Sequence, residues 1–164
     1  MRLYTLKIEG FRRIQSAKIL FAEATFLIGA NNSGKSTVFK AVEYLLSGKK
    51  TIPSQEYYSL VDEETGETKP AVAKIVLEAE FRNLPSDANN WRGFKGRVFS
   101  YTPEDENDSG LSVTYRKTYD LGQDVRIEFR SKERERDDAY SDCKTGQDYI
   151  DRGLDIKAVS EQFR

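Results

Sequence analysis

The chain has 164 residues, 38% hydrophobic and 32% charged, which suits one domain with a modest core and a very polar surface. Its nine tyrosines and nine phenylalanines argue against global disorder, because disordered chains are poor in aromatic residues. The formal net charge of −1 excludes an overall basic field that would attract nucleic acid. The lack of histidine excludes an imidazole base or ligand, and the single cysteine excludes an internal disulfide framework.

The N-terminal sequence MRLYTLKIEG alternates charged and apolar residues. It shows neither a signal peptide nor an apolar run long enough to cross a membrane. A single cysteine fits a reducing compartment. The sequence therefore predicts a soluble, cytoplasmic protein without a membrane partner.

Strands and then one helix are predicted for the first part of the chain. Leu3–Ile8 and Ala17–Phe21 have the composition of short strands. The run Thr25–Ile28 is continuously apolar, as expected of a strand buried on both faces. From Lys35 the period becomes that of an amphipathic helix, which closes by Gly48. The apolar positions of this helix are Val38, Ala41, Val42, Leu45 and Leu46.

The second half of the chain predicts an antiparallel β-subdomain. Its strands have one apolar and one polar face, the pattern of a half-buried antiparallel sheet. The predicted strands are Ala73–Phe81, Arg97–Tyr101, Leu111–Tyr119 and Val125–Phe129, the last two forming a hairpin. They are connected by the polar stretch 51–70, the loop 83–96 and the acidic turn 103–110.

The charge-dense run Ser131–Asp142 is expected to be a solvated linker. Residues 1–130 are therefore expected to form one lobe, and residues 131–164 a charged linker with the start of a truncated further segment. The predicted fold class is α/β: a core bearing a phosphate loop, an antiparallel β-subdomain, and an incomplete C-terminal side.

The segment from Gly29 to Ser36 matches G-x-x-x-x-G-K-[ST], the phosphate-binding loop of nucleotide-binding proteins. Gly29 makes the sharp exit from the preceding strand, and Gly34 lets the backbone approach phosphate without a Cβ atom. Lys35 supplies a point charge to the β- and γ-phosphates. The Ser36 hydroxyl is the expected Mg²⁺ ligand, and Thr37 is placed to hydrogen-bond the α-phosphate.

The middle of this phosphate loop (residues 29–36) is expected to supply backbone amides. The N–H groups of Asn31, Asn32 and Ser33 would line a concave nest for phosphate, and the helix that follows adds its own unpaired N–H groups. Asn32 stands where many such loops have glycine, and asparagine is the non-glycine residue that best tolerates positive φ. The loop therefore predicts a bound nucleotide with Mg²⁺.

The residues 10–14 (GFRRI), the strand after them and FLIGANNSGKSTVFKAVEYLL together resemble the N-terminal lobe of ABC-type ATPases of the RecF/SMC group. Within that group the paired asparagines are most similar to the OLD (overcoming lysogenization defect) family of ATP-dependent endonucleases. The resemblance covers residues 1–48 well and residues 71–130 in outline, as the antiparallel subdomain of that lobe. It implies that Arg12, which follows the aromatic residue, lies near the bound nucleotide.

The resemblance also implies what the chain does. In these families two heads sandwich ATP, and each head completes the site of the other with a signature motif. The chain is therefore expected to bind ATP and Mg²⁺ but to hydrolyse little ATP alone, and no catalytic residue is assigned in it. The intact protein is expected to be a homodimer that couples ATP to endonuclease action on DNA in antiphage defence, with an accessory defence protein as a further partner.

Several motifs that the resemblance requires are not recognisable in this chain. They are the Walker B strand ending in Asp-Glu, the signature motif and the late switch residue; the nuclease centre, a Toprim domain, is expected outside the chain. Ile75–Glu78 imitates Walker B, but its alternation favours an edge-type antiparallel strand. Gln123 and Gln147 are equal candidates for the glutamine that contacts Mg²⁺ and the attacking water.

Three charged segments have a structural and a functional interpretation. The acidic residues Glu104, Asp105, Glu106 and Asp108 are expected to form a solvated loop rather than a metal site. The segment 91–97 (WRGFKGR) has the interleaved aromatic and basic residues of a single-strand binder, but a surface loop with its aromatics tucked onto the sheet is favoured. The outward row Arg116, Arg126 and Arg130 fits either a nucleic-acid contact or an ordinary polar sheet face.

Two other function classes stay open. A small P-loop kinase or GTPase would need an Asp-x-x-Gly or Asn-Lys-x-Asp motif or an arginine-rich lid; neither GTPase motif occurs, and the run 132–136 lacks the surroundings of a lid. A non-catalytic interaction module, in which nucleotide only stabilises a dimer or a partner complex, is the other alternative. Measured turnover separates it from an ATPase.

Overall fold

The computed structural model describes residues 1–29, 34–103, 105–130 and 140–142. For residues 140–142 it describes the backbone only. The elements of this part of the chain are β1 (Arg2–Phe11), β2 (Ile14–Leu20), α1 (Lys35–Leu46), β3 (Ser59–Val61), β4 (Thr68–Pro70), β5 (Lys74–Arg82), β6 (Phe99–Ser100), β7 (Leu111–Asp120), β8 (Arg126–Arg130) and β9 (Tyr140–Asp142). Short 3₁₀ turns span Ser54–Glu56 and Ala88–Asn90. Among the described residues, no helix is long and apolar enough to cross a bilayer.

Seven of the described strands form one antiparallel sheet. Its order is β2-β1-β5-β7-β8-β9, with β6 paired to β7, while β3 and β4 form a separate hairpin. The predicted hairpin is confirmed, since β7 and β8 pair in the register Thr118 to Arg126. The long polar connection after α1 contains the Ser54–Glu56 turn and the small β3–β4 hairpin.

Strand β5 is the centre of this sheet, because it pairs with β1 on one side and β7 on the other. The antiparallel pairing predicted for Ile75–Glu78 is correct, but the predicted edge position is wrong. Val76 is buried although it alternates with the inward residues Ile75 and Leu77, so β5 is apolar on part of both faces. An antiparallel strand cannot be the parallel Walker B strand, so Ile75–Glu78 is not that motif.

The core lies between the inner face of the sheet and α1. A bulge between Leu3 and Thr5 shifts the alternation of β1, so that its inward residues continue as Leu6 and Ile8. Opposite them, α1 buries one side, which confirms the predicted apolar face of the helix. The buried residues of α1 are Thr37, Val38, Ala41, Tyr44 and Leu45, and those of β5 and β7 on this face are Ile75, Leu77, Ala79, Phe81, Val113, Tyr115, Lys117 and Tyr119.

The strand predicted at Thr25–Ile28 does not form. The backbone there is irregular, and the side chains of Phe26 and Ile28 are 82% and 94% exposed. A strand requires a hydrogen-bonded neighbour, and within the described residues no strand pairs with this run. The prediction is wrong because apolar composition indicates a buried strand only where a partner strand lies beside it.

Two polar segments also differ from their predictions. Asp108 is buried rather than solvated: it accepts hydrogen bonds from the Tyr101 hydroxyl and, at 3.0 Å, from the Gly110 amide. These donors replace the water that the carboxylate would otherwise need. Tyr140–Asp142 pairs with β8 inside the predicted linker, the rest of which lies outside the described residues, as does Glu104. The domain boundary at residue 130 stays a prediction.

Gly10 is required by a close approach at the end of β1. Its φ is +68°, and a Cβ atom there would lie 2.6 Å from the carbonyl oxygen of Lys74. We expect Gly10→Ala to lower the free energy of unfolding by about 3 kcal/mol, because left-handed strain and a backbone clash add. Urea denaturation measures this loss.

Gly122 provides the matched control, since its φ is +76° but a Cβ atom there would have no neighbour within 4 Å. Gly122→Ala is expected to cost only the conformational strain, about 1 kcal/mol. Equal losses for the two variants would show that the contact with Lys74 contributes nothing.

Candidate phosphate-binding site

The helix α1 begins directly where the phosphate loop ends. Gly34 is its N-cap, with a left-handed φ of 93° that glycine adopts without steric cost. A Cβ atom on Gly34 would lie 3.6 Å from Cγ1 of Ile14, which places the start of β2 against this end of the loop. The amides of Thr37 and Val38 donate to the Gly34 carbonyl at 3.0 and 3.1 Å. The amides before them, at the first positions of the helix, have no helical carbonyl to bond.

The ammonium group of Lys35 donates to the carbonyl of Gly29, the first residue of the phosphate loop. The lysine therefore joins the two ends of the phosphate loop, with its charge at the N-terminus of α1. Ser36 is exposed at the same end, and the first turn of α1 contains no acidic residue that would repel an anion. A cation, an exposed hydroxyl and the amides of a helix N-terminus are the groups that fit a nucleoside triphosphate with its Mg²⁺.

The other predicted loop residues are only partly described. Asn31, Asn32 and Ser33 lie outside the described residues, so their amides stay a prediction. Thr37 is buried at 5% exposure on the side of α1 that faces the sheet, and its bond to an α-phosphate also stays a prediction. The described part thus brings together the two glycines, Lys35 and Ser36.

Arg12 lies in the turn between β1 and β2, with a positive φ of 51°. Its guanidinium forms a double hydrogen bond with the carboxylate of Glu56, one of them 3.1 Å long, and its backbone amide donates to the Glu56 carbonyl at 2.7 Å. This hydrogen bonding raises the pKa of Arg12. Glu56 therefore holds the side chain that was predicted to lie near the nucleotide, and that prediction is untested.

The aromatic residues of the segment 91–97 pack inward, as the structural interpretation predicted. Phe94 is fully buried, and its ring lies 5.4 Å from that of Trp91 and 5.8 Å from that of Phe129. The indole N–H of Trp91 donates to Asp87 at 3.1 Å. The Phe94 ring is therefore closed off from stacking bases, and the Trp91 ring is half-buried against it.

The outer face of the sheet is charge-compensated rather than basic. Arg116 pairs with Glu78 at 2.8 Å, and Arg126 pairs with Asp120 at 3.2 Å. The guanidinium of Arg130 lies 4.8 Å from the ring centre of Phe99. The row of arginines is thus engaged in cross-strand contacts, the usual role of charged residues on a solvated sheet face.

Lys117 is a residue that the sequence interpretation missed. It is fully buried, and its ammonium donates to the carbonyls of Tyr44, at 3.1 Å, and Ser47, at the C-terminal end of α1. Burial lowers the pKa of Lys117 to about 8. The signal was present: in the alternation of β7, Lys117 falls between Tyr115 and Tyr119 on the apolar side.

Residues outside the loop that could contact Mg²⁺ or the attacking water are Gln123 and Gln147. Within the described ranges, no group of three His, Cys, Asp or Glu residues is placed to hold a metal ion. Gln123 is exposed in the turn between β7 and β8, where its backbone N–H donates to the backbone carbonyl of Asp120 at 3.0 Å. Gln147 lies outside the described residues, so the choice between the two glutamines stays open.

Both the sequence and the fold of the chain are similar to those of known ATPases. The family model described as AAA ATPase domain (AAA_15) matches residues 1–154. A chain solved in work on the structural biochemistry of ATP-driven dimerization and DNA-stimulated activation of SMC ATPases superposes with a TM-score of 0.59 and 18% identity, covering 95% of this chain and 79% of that one. At that identity the likeness establishes the fold, and it confirms the predicted α/β P-loop class. No curated protein matches the chain.

Proposed function

The chain belongs to the AAA ATPase domain family, and we propose that it binds ATP and Mg²⁺ through residues 29–36 as the head of an ATPase that acts on DNA. The observation that carries this proposal is the geometry at the N-terminus of α1. There Lys35 donates to the Gly29 carbonyl, Gly34 is left-handed and Ser36 is exposed. Each group is one that a triphosphate chain requires, and all belong to one short stretch of chain.

Each residue of the site would make a different contact with the nucleotide. Lys35 exchanges its bond to the Gly29 carbonyl for the β- and γ-phosphates, which are stronger acceptors because they are charged. The amides at the start of α1 would hold phosphate oxygens, and the Ser36 hydroxyl would be a ligand for Mg²⁺. The metal, when bound, neutralises charge between the phosphates. Arg12 would reach the nucleotide only after releasing Glu56.

We further propose that the whole protein works as a homodimer of heads on DNA, as an ATP-dependent endonuclease of the OLD type in the cytoplasm, with an accessory defence protein as a further partner. The support is the resemblance of residues 1–48 and the SMC-like fold. The solved relative is an ATPase in which dimerization is ATP-driven and activation is DNA-stimulated. DNA cleavage by the full-length protein, with and without ATP and with Lys35→Ala as control, tests this extension.

The magnesium role of Ser36 gives the most specific test of the nucleotide site. For the unaltered chain we expect ATP affinity to rise when Mg²⁺ is added, and for Ser36→Ala we expect most of that gain to disappear. One lost metal ligand should weaken ATP–Mg²⁺ binding by about tenfold while leaving metal-free ATP binding nearly unchanged. Equilibrium titration of a fluorescent ATP analogue, with Mg²⁺ and then with EDTA, measures both affinities.

Ser16→Ala is the matched control, because Ser16 is an exposed serine on β2, outside the loop. It should show the same magnesium dependence as the unaltered chain. If Ser36→Ala kept the full magnesium gain, Ser36 would not be the ligand, and the assignment of the metal site would be wrong.

A nucleotide-dependent interaction module is the second candidate function. It is favoured by apolar side chains exposed around the loop: Phe26, Ile28 and, on α1, Phe39 at 68% exposure. Such side chains on a protein surface commonly mark a contact with another protein. Phosphate release measured at saturating ATP in the full-length protein separates the candidates, since a module without turnover releases none.

A further inference from the structure

The two ends of α1 have different surroundings. At its N-terminus the helix meets the phosphate loop, and at its C-terminus it meets strands of the β-subdomain. With 12 residues the helix is about 18 Å long, so any rotation or shift fixed at one end is carried to the other. What holds the C-terminal end therefore decides where the loop presents its groups.

The C-terminal end is held by side chains of β7. Lys117 donates to the carbonyls of Tyr44 and Ser47, and the Tyr119 hydroxyl lies 3.3 Å from the carbonyls of Tyr44 and Lys49. We call these acceptors, with the carbonyl of Lys50, which accepts from the Val125 amide at 2.7 Å, the carbonyl socket. The Tyr44 carbonyl is one of the last four of α1, which have no partner inside the helix, and the other acceptors belong to the C-cap Ser47 and the residues just after it.

Lys117 is the unusual member of this arrangement, because a fully buried ammonium normally requires an anionic partner. Its sheet neighbours are apolar, Leu77 on β5 and Ile127 on β8. The groups that face it from α1 and β7 are the tyrosines 44 and 119, and no carboxylate among the described residues forms an ion pair with it. Its charge is thus matched by the negative end of the helix dipole and by two carbonyls.

A simple packing role does not require a cation here. A methionine would fill the same space in an apolar core without the cost of burying a charge. The ammonium does what methionine cannot: it bonds two carbonyls at the end of one helix and so fixes rotation and axial position together. Ring packing supports this contact, with Tyr44 lying 5.7 Å from Phe11 and 6.4 Å from Tyr119 between ring centres.

We propose that Lys117 is a positioning residue for the phosphate loop: by holding the carbonyl socket of α1 it sets where Lys35 and the first helical amides meet the nucleotide. The proposal rests on the proposed ATP binding at the other end of α1. It makes the β-subdomain part of the nucleotide site through one side chain, and it assigns Tyr119 a supporting role in the same socket.

The test compares Lys117→Met with the unaltered chain in two measurements. Hydrogen exchange without nucleotide should be about tenfold faster in Lys117→Met at the amides of Thr37 and Val38, which donate to the Gly34 carbonyl, relative to those of β5. Affinity for ATP–Mg²⁺, measured where both proteins are fully folded, should fall about tenfold, within the range usual for coupled sites. Tyr119→Phe, which is nearly isosteric, should change both quantities in the same direction by less.

Arg116→Met is the matched control. It removes a cation from the adjacent position of β7, but that side chain lies on the outer face and pairs with Glu78. It should leave exchange in α1 and ATP affinity unchanged.

The outcomes separate this proposal from the proposed function. Faster exchange confined to residues 44–50, or equal acceleration in α1 and β5, would overturn the positioning role, because Lys117 would then be a local cap or a general stabiliser. Unchanged ATP affinity in Lys117→Met with normal binding in the unaltered chain would overturn it too. If the unaltered chain bound no ATP, the proposed function would fail, and the exchange data alone would decide whether Lys117 positions the loop.

Discussion

Replacing Lys35 with alanine is expected to weaken ATP–Mg²⁺ binding by at least about a hundredfold. The ammonium would make charge-assisted bonds to two phosphates, each contributing about 1.5–3 kcal/mol, and about 1.4 kcal/mol corresponds to a tenfold change in affinity. The stability of the fold should change little, because Lys35 lies at the first position of the helix outside the core and its hydrogen bond to Gly29 is exposed. Competition titration with a fluorescent ATP analogue measures the ratio of the two affinities.

Lys40→Ala is the control for this change, since it removes a lysine from the same helix, further along from the loop. Lys40 pairs with Glu43 at 2.8 Å on the surface of α1, where an ion pair contributes little. The ATP affinity of Lys40→Ala should stay within a factor of about two of that of the unaltered chain. Equal losses of affinity in the two variants would mean that ATP binding depends on the total positive charge of α1 and not on the loop lysine.

The buried ammonium of Lys117 is expected to make stability rise with pH between about 8 and 10. Burial lowers the pKa of Lys117 to about 8, whereas the ordinary pKa of a lysine is 10.5. Between these values the unfolded chain binds a proton that the folded chain does not, so the free energy of unfolding increases with pH. Between pH 7 and 9.5 the increase from this group should be about 2 kcal/mol, measured by urea denaturation at several pH values.

The Lys117→Met variant isolates this contribution, because every other titrating group stays in place. Tyr101 and Tyr119 have pKa values raised by burial, so they oppose the trend only near and above the ordinary tyrosine range. The free energy of unfolding of the unaltered chain, minus that of Lys117→Met, should therefore increase from pH 7 to 9.5 and level off at higher pH. A constant difference from pH 7 to 9.5 would show that Lys117 keeps its proton at an ordinary pKa in the fold.

Local patterns predicted the part of the site that lies within one stretch of chain. The spacing of glycines, Lys35 and Ser36 identified the phosphate loop, and the change of period located α1 at Lys35–Leu46. The β7–β8 hairpin was also predictable, since its two alternating strands are joined by a short turn. These features depend on neighbours a few residues apart, where periodicity is informative.

Features that depend on distant pairing were not predictable. Whether β5 lies at the edge or the centre is decided by β1 and β7, and whether Thr25–Ile28 becomes a strand is decided by a partner strand. An alternating pattern reports one apolar face, but it does not report which strands lie on either side. The same run of apolar residues can therefore be buried in one context and exposed in another.

Polar contacts between remote residues were equally hidden from the sequence. Arg12 and Glu56, which form a double hydrogen bond, are 44 positions apart, and Lys117 lies 73 positions from Tyr44. Nothing in the composition around Glu56 or Lys117 distinguishes them from surface charges. Only the register of β7, which turns Lys117 inward, carried a signal, because a charge on the apolar side of a strand must find a partner.

The most direct test of the central claim is calorimetric titration of ATP–Mg²⁺ into the chain of 164 residues. The account predicts saturable binding of one nucleotide per chain and no saturable heat for Lys35→Ala. A folded, unaltered chain that gives no saturable heat with ATP–Mg²⁺ would contradict the claim that the loop at the start of α1 is a nucleotide site.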